Sequence, residues 1–260
     1  MRFETANIIG VRNRFRWLSK WPQTILRIED KYYKVIGTEK PTLYSAVNLL
    51  PELNVDSFRW SRIPAEQVIA SSAAAIGARG IKVLQALDGP EALARIKELI
   101  PPGSEVMNGS STTLIEIGYS DLLKSGQHKW IDLYKKVISE NDPDKRAEIR
   151  RKSVTSEYFL SGVNAIAATG ELVSCDASGS RVGAWPFAAR HLLLVAGVNK
   201  IVPTLQDALQ RIREYAYPLE NARSKKVNGA ASQIGKCVIL SNERQPGRVT
   251  LILVNDVLGY

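Results

Sequence analysis

The six residues Asn108-Gly109-Ser110-Ser111-Thr112-Thr113 stand between a short apolar run, EVM, and the helix-forming stretch LIEIG. A glycine at the end of a strand lets the main chain turn sharply and come close to a ligand. The hydroxyl residues after it can cap a helix whose free N–H groups and dipole attract negative charge. Such a loop suits the holding of a phosphate or a carboxylate. It is not a Walker loop, because the lysine is missing, and the three-glycine dinucleotide spacing is absent. An ordinary capped helix start has the same sequence pattern, so both readings stand. Glu116, on the helix that follows, is flanked by Ile115 and Ile117. In apolar surroundings its carboxyl would titrate high and could shuttle protons. The alternative is a solvated glutamate, or one that ties down the helix start.

A second constellation is SGVNAIAATGELVSCDASGSRVG, read as two short strands separated by a turn at Thr169-Gly170. The second strand ends at Asp176, before the small polar stretch Ala177-Ser178-Gly179-Ser180-Arg181. Arg181 could grip a carboxylate or phosphate with two donors, and Asp176 could act as a base. Simple pairing of Asp176 with Arg181 across a turn is the competing account. Asn164, on the preceding loop, is a further candidate. Lys200 follows the apolar run HLLLVAG after Val198 and Asn199, and is either an anion contact or a surface lysine. His128 and His191 have no cysteine, histidine or acid at metal-ligand spacing, so no zinc site is expected. No Gly-x-Ser-x-Gly elbow supports a serine hydrolase. The cluster Lys145-Arg146…Arg150-Arg151-Lys152 lacks interleaved aromatics and contains Glu148, which favours a solvated helix face over a nucleic-acid surface.

These residues need elements to position them. Regularity begins near Ile63, where Pro64 opens a helix through AEQVIASSAAAIGA that Gly80 ends. IKVLQAL reads as a strand, Asp88-Gly89-Pro90 as a turn, and EALARIKELI as a helix stopped by Pro101-Pro102-Gly103. SEVMN, FLSGV and ELVSC read as strands, and HLLLVAGV has the length and continuous apolarity of a buried parallel strand. Pro203 opens a long helix through LQDALQRIREYAY, and VTLILVND is a β-branched core strand. The alternation predicts a layered α/β domain with a largely parallel sheet at 63–260. Ligands then collect beyond the carboxyl ends of the strands, where the loops just named should converge. YSAVNLLPELNVDSFRW reads as a connector with a few buried anchors, and residues 1–62 as an extension.

The chain has 260 residues, 45% hydrophobic and 23% charged, with a formal net charge of +9. That composition excludes general disorder, and no apolar run reaches the roughly 18 residues of a membrane span. Only Cys175 and Cys237 are present, which rules out a disulfide framework and points to a reducing compartment. Residues 1–34 hold eight Lys/Arg against three Asp/Glu. Arg12, Arg14, Arg16 and Lys20 alternate there with Val11, Phe15 and Leu18, a pattern shared by transit segments, surface or partner helices and loose extensions.

The blocks NGSSTTLIEIG, NAIAATGELV, SGSRVGAWPF, VAGVNKIV and LILVNDVLGY together resemble the LUD-domain family of lactate-utilisation proteins. The resemblance runs from about Ile63 to Tyr260. It implies a Rossmann-like fold akin to ribose-5-phosphate isomerase and the coenzyme A transferases, whose glycine- and hydroxyl-bearing loops bind phosphate or carboxylate. The resemblance strengthens the anion reading of Gly109–Thr113. The full site read from the residues comprises Asn108, Gly109, Ser110, Ser111, Thr112, Thr113, Asn164, Thr169, Gly170, Asp176, Arg181, Asn199 and Lys200. Glu116 and Asp176 are candidate catalytic groups from their own chemistry, and none is carried over from the family. The cysteines that several members carry after the segment reading GKC here are missing beyond Cys237, so no metal or iron–sulfur site is expected in this chain. The resemblance further implies a small-molecule anion and other subunits of a redox complex as partners. A cytoplasmic location is expected, or a mitochondrial one should residues 1–26 act as a transit segment. Two readings remain open: a metabolic protein handling an organic acid or sugar phosphate, and a binding or regulatory module without chemistry.

Overall fold

A computed structural model describes two backbone strands at 25–28 and 31–34, then Leu49, then residues 53–260. The chain divides into two compact units, Met1–Leu43 and Tyr44–Tyr260. In the first, β1 (Ile25–Ile28) and β2 (Lys31–Lys34) pair antiparallel. The basic stretch Arg12–Lys20 lies outside the described residues.

From residue 53 onward the second unit runs through α1 (Ser57–Trp60) and α2 (Glu66–Ala78), then alternates β3 (Lys82–Ala86), α3 (Gly89–Leu99), β4 (Glu105–Asn108), α4 (Thr112–Glu116) and α5 (Tyr119–Ser125). A short β5 (Ile131–Asp132) precedes α6 (Leu133–Ser139) and α7 (Pro143–Lys152). Then come β6 (Tyr158–Gly162), β7 (Ala165–Ala167), β8 (Leu172–Asp176), α8 (Ser180–Gly183) and β9 (His191–Gly197). The chain closes with β10 (Ile201–Val202), α9 (Leu205–Arg211), α10 (Tyr217–Asn228), β11 (Lys236–Leu240) and β12 (Val249–Val254). The helix starts follow local chemistry. Asp88 accepts from the Glu91 amide with Pro90 in the first turn, and Thr204 and Asp207 form a reciprocal capping box.

The main sheet has six parallel strands in the order β3-β12-β9-β6-β4-β5. Its middle strands are mostly apolar because both faces are covered. Leu192, Leu194 and Ala196 of β9 enter one core cluster, and Leu193 and Val195 enter the other. The layered α/β fold expected from the alternation is therefore present.

One part of that expectation needs correction. The chain leaves the main sheet after Gly162 and builds a second, four-stranded sheet in the order β10-β7-β8-β11. There ELVSC (β8) is antiparallel to both neighbours, and only β10·β7 is parallel. Strands this short carry no mark of which sheet they join. A third apolar cluster covers this sheet with Ala208, Ile212, Tyr215 and Leu219 from the region of α9 and α10, together with Leu49 and Trp60. Residues upstream of Ile63 thus contribute to the core of this unit.

Candidate functional site

The ladder between β4 and β6 continues one step into the hydroxyl loop, where the Gly109 amide donates to the Leu160 carbonyl at 3.0 Å. Ser111 then caps α4 by accepting from the Leu114 amide at 3.3 Å. Gly162, at the end of β6, packs closely on this loop: a Cβ there would stand 2.5 Å from Ser111 Oγ, so the capping hydroxyl would have to move. The Asn108 amide nitrogen donates to the Gly109 carbonyl at 3.3 Å, while its Oδ1 is enclosed without a hydrogen-bond partner.

The loop after β8 meets this one. Asp176 accepts from the amides of Gly179, of Arg181 at 2.9 Å and of Val182 at 3.1 Å. Its carboxylate is spent as the cap of α8, which leaves it poorly placed to serve as a base. Arg181 lies against Gly109 and donates to the Ser110 carbonyl at 3.4 Å, to Asn164 Oδ1 at 3.3 Å and to the Cys175 carbonyl; its Nε is enclosed without a partner. Two further cations reach the same loop. Arg150, from the otherwise solvated α7, donates to Ser178 Oγ at 3.2 Å and Ser180 Oγ at 2.8 Å. The Lys236 side chain runs past Gly179, where a Cβ would stand 2.6 Å from Lys236 Cδ. Among the described residues none of these three cations forms an ion pair with a carboxylate.

Beneath the hydroxyl loop lies Lys200. It is 2% exposed, which excludes the surface-lysine reading, and its Nζ donates to Thr113 Oγ1 and the Val163 carbonyl, both at 2.8 Å. Burial, with Arg211 and Arg181 nearby, pulls the ammonium down to about 7, although Glu116 opposes the shift. Burial likewise pushes the Glu116 carboxyl up to about 7, against the pull of the Gly259 amide that donates to it and of Lys200. Gly259, at φ +57°, lies over the start of α4, and a Cβ on it would stand 2.6 Å from Thr113 Oγ1. Asn199 is also buried, but it acts as a fastener, donating to Ser61 Oγ at 2.9 Å and accepting from the Leu258 amide at 3.1 Å.

Gly109–Thr113, Asn164, Arg181 and Lys200 are therefore neighbours. Thr169 and Gly170 are not. They form the opposite end of the β7–β8 hairpin, where Arg79 donates to the Thr169 carbonyl at 2.9 Å and Gly170 packs on Ala75.

Several contributors have no obvious mark in the sequence. Arg211 is fully buried, with Nε donating to the Trp60 carbonyl at 2.7 Å, Nη1 to the Asn164 carbonyl and Nη2 without a partner. Its spacing from Ala208, Ile212 and Tyr215 puts it on the apolar stripe of its helix, which is the signal that could have found it. A groove of about 450 Å³ opens beside the carboxyl ends of β3 and β12, lined by Glu66, Gln85, Leu87, Glu91, Val198 and Asn255 among others. No cation lines it. Also among the described residues, no group of three His, Cys, Asp or Glu is placed to hold a metal ion, and no helix is long and apolar enough to cross a membrane.

The LUD domain family model matches residues 69–259. The chain belongs to the LUD-domain family. No curated protein matches this LUD-domain chain. Of solved structures, it is similar to a DUF162 family protein from Deinococcus radiodurans, at 12% identity and a TM-score of 0.45, covering 74% of this chain and 100% of that one.

Proposed function

We propose that this LUD-domain protein binds a small organic anion, a carboxylate or a phosphate ester, where the Gly109–Thr113 loop meets the Asp176–Arg181 loop. It would thereby serve small-molecule metabolism as a lactate-utilisation subunit does. One observation carries the reading. Arg150, Arg181 and Lys236 surround a serine-bearing loop whose only carboxylate is consumed by backbone amides. Cations that outnumber the nearby carboxylates Asp176 and Glu220, beside hydroxyl donors, favour an anion, and a guanidinium can meet a carboxylate or phosphate with two parallel bonds. The open groove beside β3 and β12 has the wrong sign, since Glu66 and Glu91 line it. Lys200 and Glu116, both titrating near 7, supply an acid and a base close to neutrality. A cytoplasmic setting, with other redox subunits as partners, belongs to the same reading.

The second reading, a binding module without chemistry, is favoured by Gly259. That residue covers the start of α4 and engages Glu116, so the acid holds the chain's last segment in place.

A thermal-shift series with inorganic phosphate, lactate, a sugar phosphate and an acyl-coenzyme A tests the proposal. At a hundred times its dissociation constant, a bound anion adds about 2.7 kcal/mol of stability. Arg181→Ala should abolish that gain and Arg150→Ala should weaken it. Stabilisation that persists unchanged in both variants would refute the site.

A further inference from the structure

Cys175 on β8 and Cys237 on the edge strand β11 are direct partners in the antiparallel register of the second sheet. Which kind of pair they form follows from where the backbone groups go. The Asp176 carbonyl accepts from the Gly235 amide on the β11 side. Backbone groups alternate along a strand, so those of Cys175 point away from β11. Indeed its amide donates to Asn164 Oδ1 at 3.0 Å and its carbonyl accepts from Arg181. Cys175 and Cys237 are therefore a non-hydrogen-bonded pair, the kind whose Cα atoms stand about 4.5 Å apart with side chains on one face. A disulfide spans Cα separations of roughly 4.4–6.8 Å, so the two sulfurs can be joined without moving either strand far. Cys175 is 9% exposed and Cys237 is exposed, and both are free thiols.

We propose that Cys175 and Cys237 form a thiol pair that closes reversibly to a cross-strand disulfide when a hydroperoxide reaches Cys237. The Cys237 thiolate attacks one peroxide oxygen, the O–O bond breaks, and the leaving oxygen takes a proton to become water or an alcohol. Cys237 is then a sulfenic acid. The Cys175 sulfur attacks the Cys237 sulfur, the S–S bond forms, the S–O bond breaks, and water leaves with the Cys175 thiol proton. The two sulfurs together lose two electrons and the peroxide gains them. Roles follow exposure: burial pushes the Cys175 thiol up to about 12, with Cys237 raising it further and Arg181 opposing, so Cys237 meets the oxidant and Cys175 resolves. The bond would pin the strand end from which Arg181 and Asn164 hold Cys175, placing a redox-sensitive clamp beside the anion-binding loop. The pairing itself stands on strand register and is independent of any ligand at that loop.

The full chain, dilute and reduced, is treated with hydrogen peroxide, unfolded and alkylated, and its intact mass and proteolytic peptides are measured. The expected result is loss of two hydrogen atoms, no alkylated cysteine, a peptide joining Cys175 to Cys237, and full reversal by dithiothreitol. Cys237→Ser, at an exposed position, should keep its fold and leave Cys175 alkylated after the same treatment. The proposal is overturned if both thiols remain alkylatable, if Cys237 advances only to sulfinic acid, or if the product is a covalent dimer through Cys237.

Discussion

Gly109 lies against the aliphatic stem of Arg181, so that a methyl group on the glycine would stand 2.7 Å from Cδ and 2.9 Å from Cγ of the arginine. The strand-end loop of the main sheet and the loop of the second sheet are in contact at this point. Glycine serves here for close approach, not for an unusual backbone angle.

Gly109→Val should therefore push Arg181 off its seat without unfolding the protein, because the arginine is flexible and reaches solvent. The gain in melting temperature from phosphate or an organic acid should vanish, while the ligand-free melting temperature moves by only a few degrees, about 1–2 kcal/mol. Differential scanning fluorimetry with and without the anion checks this. An undiminished ligand gain would show that Arg181 takes no part.

The stability of the protein should pass through a minimum near neutral pH on account of Glu116 and Lys200. Glu116 titrates at about 7 instead of 4.5, so the folded state holds its proton more tightly than the unfolded state. That contribution is complete below pH 4.5 and is lost as pH rises to about 7. Lys200 titrates at about 7 instead of 10.5, so its contribution is complete above 10.5 and is lost as pH falls to about 7. The acid limb is worth on the order of 3 kcal/mol at most and the alkaline limb on the order of 5 kcal/mol at most. Urea denaturation across pH should show Glu116→Gln flattening the acid limb and Lys200→Met the alkaline limb, each also deepening the other limb because the two opposite charges favour one another; an acid limb unchanged in Glu116→Gln would disprove the assignment.

Gly259 and Gly247 offer a matched pair of left-handed positions. At Gly259, with φ +57°, an added methyl group would stand 2.6 Å from Thr113 Oγ1 and 2.9 Å from Thr112 Oγ1, whereas at Gly247, with φ +77°, it would meet nothing within 4 Å. Alanine at Gly247 should cost only the backbone term, about 1 kcal/mol, while alanine at Gly259 should cost about 2–3 kcal/mol because Thr113 must also give way. Equal losses in chemical denaturation would mean that the last residues do not rest on α4.

Trp60 is 3% exposed, and its carbonyl receives the buried Arg211 guanidinium. Trp60→Ala should cost about 3–5 kcal/mol through the cavity it leaves, although the residue lies upstream of the residues matched by the family model. A loss below 1 kcal/mol would show that 53–62 only drapes over the core.

Much of this architecture was readable in the residues. The six strands expected at IKVLQAL, SEVMN, FLSGV, ELVSC, HLLLVAGV and VTLILVND all form, because β-branched and apolar runs bounded by turn residues leave the backbone few alternatives. The hydroxyl loop could be found because a glycine between a strand and a capped helix is a local pattern. So could the Thr169-Gly170 turn, but its distance from Arg181 could not, since a hairpin's two ends look equally close in sequence. Sheet membership of β7, β8 and β11 depended on partners far along the chain. Tertiary packing alone decided the roles of the charged groups. Asp176 became a cap because three amides turned toward it, and Lys200 lost its solvent because Thr113 and Val163 closed over it. Whether a carboxylate or ammonium does chemistry depends on its desolvation and its neighbours, and those are properties of the folded surroundings rather than of the residue.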